Sequence, residues 1–338
     1  MASEAIGGGA AGIVRRVFTN RQAVLLALLA GLVAVFSQTS EYFLGADNML
    51  EVTVYSAEIG FMALPMTLIL VVAGIDLSVG SILSLCAVFL GIMFSRFGVN
   101  LWIAVLMTLA LGAVCGAVNG LLTAYLRLPA LIVTLATMAI YAGLAVGMSK
   151  AESYRGFSDS FGALGRGYVV IDGGVPAISF AGGGIPVQLL LLCAFSLAVW
   201  IIFTRLPAGR RVAVIGSGPE AARCCGIRVE RLLTALYAFS GFMSAVAAVV
   251  FVSRVASAKA DAGTGRELDV ITAVVLGGTS ISGGKGSVTG SLLGLLVVGV
   301  VQNGLQLSGV TDEWRTVGVG ALLIGATTVD RMIRGEEV

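Results

Sequence analysis

No histidine occurs anywhere in this chain of 338 residues. That absence removes the usual proton shuttle, the base of a nucleophilic triad and most metal sites, so ordinary hydrolytic catalysis is a poor reading. Charge is scarce as well, at 12% of residues against about 25% in soluble domains. Five cysteines, Cys86, Cys115, Cys193, Cys224 and Cys225, show no CxxC spacing, which argues against a disulfide framework or a zinc site. The formal charge of +2 is too small to point to nucleic acid.

What the chain has is apolar length: 57% hydrophobic residues and a mean hydropathy of +0.99. A membrane span needs ~20 apolar residues. Such segments recur near 22–40, 52–73, 78–95, 101–126, 130–148, 186–204, 232–253, 267–282, 288–308 and 315–330. The expected fold is therefore all-α, a polytopic membrane bundle of about ten transmembrane helices. A short segment, 1–21, precedes a membrane domain over 22–330, which leaves no room for a separate soluble domain. The first apolar run, Ala23 to Phe36, follows Arg15 and Arg16 without a clear small-x-small cleavage site, so it reads as a retained span.

Cations set the orientation. With the N-terminus in the cytoplasm, Arg127, the cluster from Arg205 to Arg231, Lys285, Arg331 and Arg334 all fall on the inner side, as the positive-inside rule asks. Both termini are then expected to be cytoplasmic. Arg254, Lys259 and Arg266, in an outer loop, run against the rule. The outer loop 149–185 exceeds the ~12–15 residues of an ordinary connection, and it reads equally as a contact surface for an extracytoplasmic partner or as a tolerated insertion.

Asp76, in VVAGIDLSVGSILSL, stands between two apolar runs. An acid within a membrane region is a functional candidate, whereas an Asp just before a helix is also a natural N-cap. Pathway residue, N-cap of a helix beginning near Leu77, and plain interfacial charge all stay open. VVAGIDLSVGS at 71–81 has a faint echo in VVLGGTSISGG at 274–284, and Gly-interrupted segments at corresponding places in two halves point to a transport pathway. Glu267 and Asp269 stand at the outer mouth of the short eighth span, where they suit a hydroxylated solute, Arg266 or a docked partner.

The inner loop 204–233 reads TRLPAGRRVAVIGSGPEAARCCGIRVERLL, with a short helix expected from Pro219 and Glu220 and ended by Gly226. It is a membrane-surface element or a docking knob. No GxxxxGK[ST] loop occurs, so the chain has no phosphate-binding loop of its own for ATP hydrolysis.

GIDLSVGS at 74–81, the run NGLLTAYLRLPALIVTLATMAIYAGLA at 119–145, AGRRVAVIGSGPEAARCCGI at 208–227 and ELDVITAVVLGGTSISGGKGSVTGS at 267–291 together resemble the ribose-type permease family of bacterial ATP-binding-cassette importers. The resemblance covers nearly the whole chain from about residue 20. ALPMTLILVVAGIDLSVGSILSLCAV is most similar to permeases of autoinducer-2 and rhamnose import systems.

The resemblance implies a multi-pass inner-membrane subunit that imports a monosaccharide or sugar-like solute. Its implied partners are a cytoplasmic ATP-binding cassette that holds ATP and Mg, a periplasmic or lipid-anchored sugar-binding protein, and a second permease chain, identical or paralogous. It makes 205–231 the coupling loop, where Glu220, Ala221, Ala222 and Gly226 match the family pattern, Arg223 lies among them, and Pro219 replaces a common Asn. Candidate pathway contacts are Asp76, Ser78, Ser81 and Asn119. Candidate docking residues for the binding protein are Arg254, Arg266 and Glu267. The competing expectation is an ion-gradient-driven sugar carrier, which usually holds several membrane acids; here only Glu58 and Asp76 read as mid-chain acids near spans.

Overall fold

A computed structural model describes residues 21–172, 175–180 and 183–334. Of the expected N-terminal segment 1–21, residues 1–20, with Arg15 and Arg16, lie outside the described residues, and Arg21 begins the first helix. Among the described residues, eight helices are long and apolar enough to cross a membrane: α1 (Arg21–Thr39), α2 (Ala46–Val71), α3 (Val79–Gly91, extended by a π-helical turn, Ile92–Arg96), α4 (Leu101–Ala124), α5 (Ala130–Ser149), α7 (Val187–Arg205), α10 (Val229–Val255) and α12 (Val288–Leu307). Between them lie α6 (Asp159–Arg166), α8 (Pro207–Ser217), α9 (Pro219–Cys224) and α11 (Arg266–Leu276), and α13 (Asp312–Arg334) closes the chain.

The expected eighth span, 267–282, is corrected. α11 has 11 residues, roughly 16 Å at 1.5 Å per residue, about half a bilayer. Gly277 and Gly278 end it, Gly278 at φ +102°, and the chain runs irregularly to Ser287, whose side chain caps α12 by accepting from Gly290 N–H. Such non-helical backbone survives at membrane depth only inside protein. α13 has the length of a span but not the hydropathy.

α2 forms the axis of the bundle, buried from Ser56 to Val71, with α10, α12, α11 and α7 around it and α1 at the periphery. The tightest pair is α4 against α10. Gly112, Gly116 and Gly120 form a stripe at four-residue spacing on α4, and a Cβ on Gly116 would lie 2.9 Å from Gly241 N and overlap Tyr237 O. Small residues let the two backbones touch where lipid offers no hydrophobic drive for association.

The long loop 149–185, expected on the outer side, carries ordered structure among its described residues. α6 is followed by β1 (Tyr168–Asp172), β2 (Val175–Ser179) and β3 (Ile185–Pro186), an antiparallel sheet in the order β2-β1-β3. The cap is pinned to the bundle: Tyr154 and Ala258 exchange backbone hydrogen bonds, and Ser253 donates to Phe161 O. The echoed segments meet in space, since Gly284 N–H donates to Val71 O at 2.8 Å.

Candidate translocation site

After α2 ends at Val71 the chain turns through Ala73, at φ +59°, and runs without helix to Val79. This places Asp76 in a wholly buried position. Its Oδ1 accepts from Ser78 N–H (3.1 Å) and Ser78 Oγ–H (2.6 Å), and its Oδ2 accepts from Ser240 Oγ–H (2.8 Å). Asn119 Nδ2 donates to Ser78 Oγ at 2.8 Å. Ser240 lies eleven residues after the start of α10 and fifteen before its end, so this polar knot sits near mid-helix. The N-cap expectation is corrected: α3 begins at Val79, its flanking residue is Ser78, and no side chain caps it. Asp76 instead ties the start of α3 to α10, and Ser78 ties it to α4.

Of the candidate pathway residues, Asp76, Ser78 and Asn119 are thus brought together. Ser81 lies one turn on, with its Oγ donating to Ser78 O at 2.8 Å. It lines an open cleft of about 560 Å³ with Ser84, Met138, Lys259, Asp261 and Glu267. The floor of the cleft is therefore bonded to the knot. Tyr237, whose hydroxyl donates to Ile75 O at 3.4 Å, and Thr134, which donates to the same carbonyl, complete the surround. Sequence reading missed Ser240, Tyr237 and Ser84, because single small or aromatic residues in apolar helices read as packing.

The outer cations have a different setting. Glu58, fully buried in α2, receives Arg254 Nε at 2.7 Å and Arg266 Nη1 at 2.7 Å. Arg254 also lies 4.5 Å over the Tyr55 ring and Arg266 5.1 Å over Phe251. Only 16% and 19% of the two side chains is exposed, so both guanidinium groups are committed to an internal acid. Paired in this way, neither is a free cation of the kind the positive-inside rule counts. Glu267 faces the cleft instead.

On the other side of the bundle, α9 runs from Pro219 to Cys224, and Gly226, at φ +75°, reverses the chain. Glu220 is 87% exposed and Ala221 is exposed, whereas Ala222 is buried. Arg223 joins Glu220 to Glu230 at the start of α10. The segment presents a polar tip on an apolar root.

The sequence profile of a family described as branched-chain amino acid transport system / permease component matches residues 48–327. The chain belongs to that family of transport-system permeases. It is 39% identical over 308 residues to the autoinducer 2 import system permease protein LsrD of Escherichia coli K12, covering 89% of this chain and 88% of that one. The Shigella flexneri and Escherichia coli O157:H7 proteins of the same name match at the same identity and coverage. No solved structure matches the chain. The chain is accordingly a multi-pass membrane permease of the ribose-type group of ATP-binding-cassette importers, in the bacterial inner membrane. Permeases of this kind work with an ATPase and a substrate-binding protein.

Proposed function

We propose that this permease moves a neutral, monosaccharide-sized polyhydroxylated solute inward through the cleft at Ser81 and Ser84 and past the Asp76–Ser78–Asn119 knot. The observation that carries the reading is the run of hydrogen bonds from Ser81 in the cleft wall, through the Ser78 carbonyl and hydroxyl, to the Asp76 carboxylate. Such groups exchange hydrogen bonds with hydroxyls without binding them tightly, which suits release on the inner side. The names of the relatives make autoinducer 2 the first solute to test, with ribose and rhamnose beside it.

The driving force comes from ATP and Mg held by a partner ATPase that docks on the exposed tip Glu220–Ala221, with Arg223 and Gly226 fixing its shape. A binding protein delivers solute to the outer face around 150–186 and 256–265. There Glu267 lies at the mouth, and Arg254 and Arg266 brace the surface from beneath through Glu58. A second permease chain completes the pathway.

The test is uptake into proteoliposomes holding the permeases and the ATPase, with loaded binding protein outside. Uptake is expected to require ATP inside, and Glu220→Arg, a charge reversal at the docking tip, is expected to abolish it while membrane insertion stays normal. Uptake driven by an ion gradient with no ATPase present would overturn the reading.

A further inference from the structure

The end of α8, rather than the α9 tip, makes the closest approach of the cytoplasmic segment to the two Gly-broken turns. A Cβ on Gly216 would overlap the Val71 carbonyl oxygen and lie 3.0 Å from Gly284 N. That carbonyl already accepts from Gly284 N–H, so three backbones meet at one point: the end of α8, the end of α2 and the loop after α11. Val212 and Ile215, both buried, root α8 in the core.

Neither turn has slack at this junction. Gly283 and Gly284 hold φ of +86° and +77°, a left-handed backbone that other residues adopt only with strain. A Cβ on Gly283 would stand 2.9 Å from the Ala73 methyl group, and Ala73 is itself left-handed. Three residues beyond Ala73 lies Asp76. A displacement of α8 therefore reaches Val71, and through it the chain that ends in the polar knot, while the same point of contact carries it to the loop joining α11 and α12.

We propose that Gly216 is a positioning residue through which the cytoplasmic segment drives both turns, 72–78 and 277–287, as one body. The proposal rests on the importer reading and adds to it the route by which the partner's nucleotide state reaches the pathway. Packed backbone with two discrete arrangements is the physical basis of such transmission.

The experiment is hydrogen exchange on the assembled permease–ATPase complex, without nucleotide and with ATP–Mg trapped by vanadate, paired with uptake per ATP hydrolysed. In the native complex, amides of 72–78 and 277–287 are expected to change protection together with those of 212–217. In Gly216→Ala the two turns stop responding, and uptake per ATP falls about two- to thirtyfold, the range for substitutions along a coupling network. A native complex in which α8 responds and the turns do not would overturn the proposal. So would a Gly216→Ala complex with native uptake per ATP. Should that variant fail to assemble, the native exchange pattern decides alone. Absence of any nucleotide response, at 219–224 included, would instead sink the importer reading, and the proposal with it.

Discussion

Asp76 is a fully buried acid whose described hydrogen-bond partners are neutral: the Ser78 amide and the hydroxyls of Ser78 and Ser240. Its acceptor geometry therefore matters to the fold. Replacement by Ala strands those donors, and an unmade buried hydrogen bond costs about 1–3 kcal/mol. Asp76→Ala is expected to lose that much stability, read as an earlier thermal transition in detergent, whereas Asp76→Asn, which keeps one acceptor for Ser78, should stay close to native. Equal losses in both variants would show that the charge, not the hydrogen bonding, holds the turn. Glu58 is the opposite case, a buried acid with two cations on it. Glu58→Gln leaves two mostly buried guanidinium groups facing a neutral amide, and breaking a buried pair from one side costs about 3 kcal/mol or more. Calorimetry or a fluorescence melt of the purified variant would read this as an early transition.

At the scale of elements, the α4–α10 contact is the one most sensitive to a single side chain. Gly241 has no room for a Cβ, since Gly116 N would lie 2.7 Å away with the Gly112 carbonyl closer still. Gly241→Val is expected to push the helices apart and cost about 1–3 kcal/mol, seen as lost thermal stability and as new accessibility of Cys115 to a thiol reagent. The stripe itself was legible in the sequence, as glycines four apart in an apolar run. So were the limits of α9, because Pro in a first helical turn and Gly after the last are strong local signals. The end of α11 was less so. Gly277 and Gly278 mark the eighth span as short and broken, but a hydropathy window runs on through them to residue 282, although the backbone cannot continue as helix there. The Glu58 cluster was not legible at all: its partners lie 196 and 208 residues away in the chain, so Arg254 and Arg266 read as misplaced charges. Ser240 was equally silent, since a lone serine in an apolar helix has no local pattern to mark what it faces.

For the whole molecule, the resemblance carried by four quoted stretches and the bundle architecture agree with the family match over residues 48–327. What the stretches did not disclose was the arrangement that makes them a device. GIDLSVGS follows the end of α2 and GGTSISGGKG the end of α11, and only folding shows that the second stretch meets the last residue of α2, Gly284 N–H donating to the Val71 carbonyl. The expected ten spans resolve into eight long apolar helices, one half-length helix and the more polar α13. Beside Glu58 and Asp76, Glu267 and Asp269, read at the mouth of the eighth span, stand in the first turn of the half-length helix. Their presence would have favoured a gradient-driven carrier on composition alone, and the family match decides otherwise.

One helix ends against both faces of the protein. α10, 27 residues and roughly 40 Å long, meets the outer cap through Ser253 and the inner loop through Glu230, and it carries Ser240 between them. A tilt imposed at either end of so stiff a rod must turn up at the other with its sign reversed about the pivot. On the proposed function, news of a delivered cargo and news of a spent nucleotide would travel on the same strut, in opposite directions, past the same serine.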